Sequence, residues 1–234
     1  MSRKNWKLIA QQIPRGLDRA LSVLLKAPAR RHTKRNQESG RIDRKRLHLA
    51  SGGFKRVFRR QHDVAAVNTA CMVIVDQTTS MRTGRIHPSV AFASRIKASA
   101  QRVGAQCVVA GFSNDSYWCP ELRLYCDATE RATDALWNRM IADVDGVRSS
   151  IAGILMHAGK IVRGMQAGRH VIVLLTDGME GTHAREAGRI LESWGVQVIT
   201  IGIDVDVEMD RAVNIDHGTL STKGLERVIT DMAR

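Results

Sequence analysis

Four continuous apolar runs of strand length mark the chain from residue 70 onward, at Ala70–Val75, Gln106–Phe112, His170–Thr176 and Val196–Ile203. None shows the strict apolar–polar alternation of a half-exposed strand, so each reads as a strand covered on both faces. Between them, apolar residues recur at helical spacing over 88–103, 130–143, 151–165 and 182–194. Buried strands alternating with helices predict an α/β domain with a doubly wound, mainly parallel sheet and helices on both faces. The interval around Tyr117–Tyr125 contains Pro120 and suits an antiparallel edge strand, because proline cannot donate to an interior ladder. Arg211–Ile215 reads as a last short strand and Gly224–Met232 as a closing helix.

Upstream of residue 63 the pattern differs. Ile13, Leu17, Ala20, Leu21 and Leu24 form one apolar stripe at helical spacing, with Pro14 near the helix start and Pro28 beyond its end. A stripe of this kind docks on the parent domain or on a partner. Residues 29–46 are polar, dense in charge and lack periodicity, and read as a linker or arm. The expected division is a basic N-terminal helix and linker arm over 1–62, followed by the main domain over 63–234.

Charge sharpens that division. The chain has 234 residues and a formal net charge of +13, yet residues 1–63 hold 18 Lys and Arg against 4 Asp and Glu. The remaining residues hold 18 and 19. Any polyanion would therefore meet residues 1–62; nucleic acid is one such partner, an acidic protein another, and a purely solubilising role is the plainest account. Of the four cysteines, Cys71 and Cys107 lie in strand-like runs and read as buried free thiols. The early apolar patches are broken by Lys7, Arg15 and Arg19, unlike a signal peptide, and no apolar run is long enough to span a membrane. A cytoplasmic protein without a membrane partner is expected.

Two strands end in acidic, hydroxyl-rich loops, VIVDQTTSM over 73–81 and VLLTDGMEG over 173–181. In an open parallel sheet, ligands sit outside the carboxyl ends of the strands. Asp76 followed by hydroxyls at Thr78 and Ser80 aims three oxygens at one point, and Asp177 brings a second carboxylate. Hard oxygens without thiolate or imidazole suit Mg²⁺ or Mn²⁺.

These loops resemble the metal-ion-dependent adhesion site (MIDAS) of the von Willebrand factor A (VWA) family, a Rossmann-like fold whose motif is D-x-S-x-S with a later Thr and Asp. Asp76, Thr78 and Ser80 match the first element and Asp177 the last. Val147-Arg148-Ser149-Ser150-Ile151 resembles the middle one, with Ser149 at the threonine position. Thr79 stands where the family usually has glycine, which crowds the turn. A narrower resemblance, to the C-terminal VWA domain of CobT-type cobaltochelatase subunits, rests on Gly40–Asp43, Arg46-Leu47, Val57-Phe58, Val67–Ala70 and the ending VITIGIDVDV…RAVNID over 198–216. The acidic region that such subunits carry ahead of the domain has no counterpart here, where that space is short and basic.

The resemblance implies a non-catalytic adaptor. Asp76, Thr78, Ser80, Ser149 and Asp177 would hold Mg²⁺ or Mn²⁺, and an Asp or Glu of a protein partner would complete the metal. The partner implied is an AAA+ ATPase of the MoxR/CobS kind, in metal chelation or remodelling. The alternative is a nucleic-acid-associated VWA protein binding through its basic arm. Other chemistries find little support. There is no G-x-x-x-x-G-K-[ST] and no G-x-G-x-x-G after the first strand. His157, His183 and His217 have no zinc-site spacing, and Ser80, His87 and Asp76 lack a nucleophile elbow. Trp118, Trp137 and Trp194 are too scattered for a base-stacking row.

Overall fold

A computed structural model describes residues 6–25, 31–37, 41–42, 58–63, 68–113, 121–146, 150–178, 182–205, 207 and 209–215. The elements in chain order are helices α1 (Trp6–Gln12) and α2 (Arg15–Leu25), then strands β1 (Arg31–Gln37), β2 (Arg41–Ile42), β3 (Phe58–Asp63) and β4 (Thr69–Asp76). A 3₁₀ turn over Thr79–Thr83 leads into α3 (Ile86–Val103), β5 (Gln106–Ser113), β6 (Glu121–Cys126), α4 (Asp134–Ala142) and α5 (Ile151–Gly164). The remainder is β7 (Arg169–Thr176), α6 (Thr182–Ser193), β8 (Val196–Ile203) and β9 (Ala212–Ile215). The closing helix expected over Gly224–Met232 lies outside the described residues.

Six strands form one sheet in the order β6-β5-β4-β7-β8-β9. All pairings are parallel except that of β5 with β6, so the expected antiparallel strand is present at the edge. The chain runs outward from β4 to β6, then returns to the other side of β4 and runs outward again through β7, β8 and β9. That reversal makes the gap between the carboxyl ends of β4 and β7 the topological switch point of a doubly wound sheet.

The apolar runs are continuous because both faces are covered. On β4, Cys71, Val73 and Val75 face a cluster built from α1, α2, α3 and α4, whereas Ala70, Met72 and Ile74 face α5 and α6. All eight β4 residues are buried. Cys71, Cys107 and Cys126 are free and buried, as small apolar side chains.

The boundary expected at residue 62 differs from the compactness of the chain. Met1–Lys26 cluster with Asn68–Arg234, and Ala27–Val67 form a second compact unit. The stripe of Ile13, Leu17, Ala20, Leu21 and Leu24 is buried in the core of the first unit. Pro14 ends one helix and starts the next, so α1 adds Trp6 and Ile9 to the stripe. Polar contacts anchor the pair. Arg95 bonds Asp18 at 2.7 Å, Trp6 Nε1 donates to Asn138 Oδ1 at 3.1 Å, and Arg169 Nη1 donates to the Leu24 carbonyl at 2.8 Å.

The expected linker over 29–46 also differs from the structure. In the second unit β1, β3 and β2 form a three-stranded antiparallel sheet. The strand RHTKRNQ carries no alternating apolar residues, so no period-2 signal marks it in the sequence.

Candidate metal centre

β4 delivers Asp76 to the switch point with its side chain out of reach of bulk water. The residue is only 2% exposed. Oδ1 accepts the Thr78 backbone N–H at 2.9 Å and Oδ2 accepts the Thr176 hydroxyl at 2.6 Å. Burial disfavours the charged carboxylate and raises its pKa from 3.8 to about 6, with Thr176 and Thr78 opposing that rise. Thr176 in turn accepts the Gly178 N–H at 2.9 Å, so the hydroxyl at the end of β7 links the two strand ends.

The 3₁₀ turn brings the next oxygens. Thr78 Oγ1 and Ser80 Oγ lie 3.0 Å apart, and the Ser80 hydroxyl donates to Asp177 Oδ1 at 2.8 Å. Asp76, Thr78, Ser80 and Asp177, four of the five residues expected from the sequence, therefore meet at one place. The fifth, Ser149, lies outside the described residues. Its neighbour Ser150 caps α5, accepting the Gly153 N–H at 3.3 Å. Thr79, expected to crowd the turn, is exposed and keeps a negative φ, and its N–H donates to the Gly146 carbonyl at 3.0 Å.

Beneath the loop, Gln77 is fully buried. Its amide donates to Tyr125 Oη at 2.9 Å and to the Met140 carbonyl at 2.8 Å. Tyr125 donates to Asp143 at 2.7 Å, and burial, with Asp143 beside it, pushes the phenol up to about 12. Gly111 makes room for this network, since a Cβ there would lie 2.0 Å from Gln77 Oε1. These polar bonds hold the Asp76–Ser80 segment from below.

Arg85 belongs to no motif and no apolar period, and sequence reasoning passes it by. Gly84, at φ 108°, turns the chain out of the 3₁₀ segment and sets Arg85 at the start of α3. Its Nη1 lies 2.9 Å from Asp177 Oδ2 and its Nε 3.4 Å from Asp204 Oδ2. The hydrogen bond to Asp177 is the main cause of an upward shift in the Arg85 pKa. Asp204 sits just past β8 in the left-handed region, at φ 57°.

The donor set fits a small hard dication: two carboxylates and two hydroxyls, no sulfur, no ring nitrogen. Among the described residues no cluster of three or more His, Cys, Asp or Glu side chains offers a different metal site. No Ser–His–Asp relay links Ser80, His87 and Asp76, because Ser80 donates to Asp177 and His87 Nδ1 is buried without a hydrogen-bond partner. No helix among the described residues is long and apolar enough to cross a membrane.

Residues 57–152 match the family described as the cobalamin biosynthesis protein CobT VWA domain. That span carries the Asp76–Ser80 loop and ends before β7. Among solved structures, proximal thread matrix protein 1 from the mussel byssus, in the form with a zinc-occupied MIDAS motif, is 21% identical. It superposes with a TM-score of 0.53, over 71% of this chain and 48% of that one. The von Willebrand factor type A protein from Catenulispora acidiphila is 18% identical, with a TM-score of 0.50 over 74% of this chain and 44% of that one. This chain thus spans about half the length of each of these two structures. No curated protein matches it by sequence. The structural likeness shows the fold, which is of the VWA type.

Proposed function

Because the chain carries a VWA-type domain resembling the C-terminal domain of CobT, we propose that it is a metal-dependent adaptor that captures an acidic side chain of a protein partner. One observation carries this reading: Asp76, Thr78, Ser80 and Asp177 converge at the switch point of the sheet. These side chains would hold Mg²⁺ or Mn²⁺, with Ser149 as the further hydroxyl. The zinc-occupied MIDAS motif of the mussel protein supports a divalent ion in this fold. A bound dication supplies Lewis-acid attraction for one carboxylate of a partner, a strong and directional contact. Asp76 and Asp177 supply the anionic charge, and the Gln77–Tyr125–Asp143 network keeps the loop in position.

The partner we propose is an AAA+ ATPase of the MoxR/CobS kind, with the adaptor serving metal chelation or remodelling and doing no chemistry of its own. Mg²⁺ titration of the purified chain, followed by capture of such an ATPase with and without EDTA, tests the reading. Wild type should bind both metal and partner, and Asp76→Ala neither. Partner binding that ignores both EDTA and Asp76→Ala would remove the mechanism.

A second reading, nucleic-acid association through residues 27–67, is favoured by the strand register of that unit. Lys34 stands directly opposite Arg60 and Arg41 directly opposite Arg59. Like charges facing each other across a ladder weaken it, and an external polyanion relieves the repulsion. Its signature is affinity for a short DNA duplex that falls by orders of magnitude between about 50 and 200 mM salt. A salt-independent affinity would sink it.

A further inference from the structure

A metal held by Asp76 and Asp177 meets a competitor: a guanidinium already sits on one of the two carboxylates. Both oxygens of Asp177 are engaged, Oδ1 by Ser80 at 2.8 Å and Oδ2 by Arg85 at 2.9 Å, and its side chain is 1% exposed. Asp177 therefore turns no open face to solvent from which a hydrated ion can enter. Arg85 differs, with its side chain 32% exposed and a second carboxylate, Asp204, beside its Nε. It is charged at every accessible pH, so no protonation change releases it.

We propose that Arg85 is a resident counter-cation of Asp177, and that a divalent metal takes the site only by displacing it. The inference rests on the adaptor reading and adds the residue that sets the affinity. Without metal, the guanidinium neutralises Asp177 and preserves the loop. When a dication arrives, like-charge repulsion drives the guanidinium off Oδ2, and Asp204 offers it an alternative partner. Metal loading is thus an exchange of cations, and its net affinity is the difference between the two. Partner capture, which follows loading, inherits the same threshold.

The test uses the full chain and Mn²⁺, read by electron paramagnetic resonance of the free ion and by titration calorimetry. Arg85→Met should bind Mn²⁺ about tenfold or more tighter than wild type, since a unit charge within about 4–6 Å of an ionic group shifts its ionic equilibrium by roughly one to three powers of ten. Arg85→Lys, which keeps a cation but loses the fork, should fall between. In wild type, Mg²⁺ should also shift the Arg85 Nε–H resonance in nitrogen-15 spectra, a readout independent of how the variants fold. Equal Mn²⁺ affinity in wild type and Arg85→Met, with an unmoved Arg85 resonance, overturns the exchange and leaves the adaptor reading intact. No Mn²⁺ binding by either protein at millimolar concentration overturns both.

Discussion

The two compact units treat charge in opposite ways. At the switch point of the larger one, each charged group described meets its complement: Asp76 has two donors, Asp177 has Ser80 and Arg85, and Arg85 has two carboxylates. In the smaller unit, Ala27–Val67, 12 Lys and Arg stand against 3 Asp and Glu, and Lys34 and Arg41 hold ladder positions opposite Arg60 and Arg59. In the first region every carboxylate oxygen named has a donor, and a new ion enters only by exchange with Arg85. The second has an unbalanced charge that only something outside it can neutralise. Most of the net charge of +13 is therefore concentrated in the smaller unit, and the larger one, with 24 Lys and Arg against 20 Asp and Glu, carries the rest.

The contrast would suffer most if the N-terminal helices served the basic unit instead of the larger one. Leu17 is fully buried in the core of the larger unit. Leu17→Ala should destabilise the global unfolding transition by about 2–5 kcal/mol, as large cavity-forming substitutions do. A loss below about 1 kcal/mol in urea unfolding would return α2 to the status of an arm.

The buried carboxylate at the switch point offers a finer test. Folding raises the Asp76 pKa from 3.8 to about 6. A raised acid pKa means that the folded state favours the protonated form. That stabilisation is present below about pH 4 and lost as pH climbs through 6. In metal-free protein, Asp76→Asn should thus gain about 1–3 kcal/mol at neutral pH, with the gain fading toward pH 4. The lost acceptor for the Thr176 hydroxyl places the value below the full shift. Denaturant melts in EDTA at both pH values decide it, and an Asn variant less stable at neutral pH contradicts the burial argument.

The smallest effect belongs to the basic sheet. Lys34→Glu should stabilise that unit by about 0.2–1 kcal/mol, replacing repulsion from Arg60 by attraction, and should weaken duplex DNA binding at the same time. Hydrogen exchange of the β1 and β3 amides measures the first effect. Unchanged protection would mean that the cross-strand cations are already screened.

Much of the larger unit is legible in the amino-acid sequence. The strands β4, β5, β7 and β8 lie within a residue or so of the apolar runs, because a strand buried on both faces writes a continuous signal into its own residues. Asp76, Thr78, Ser80 and Asp177 are legible for a related reason: a strand end at a switch point aims its side chains at the ligand position. The β1–β3 sheet is not, since seven polar residues in RHTKRNQ carry no period. The α1 helix is hidden by Pro14, which divides one stripe between two helices.

Where the elements of the larger unit begin and end, and which oxygens stand at the strand ends, are properties of neighbouring residues and can be read along the chain. Folding alone sets β7 beside β4, fits Gln77 against the bare backbone of Gly111, and brings Arg85 to Asp177 across 92 positions. Such pairings join residues distant along the chain, and a contact made only when the chain closes leaves no periodic trace in either partner's neighbourhood.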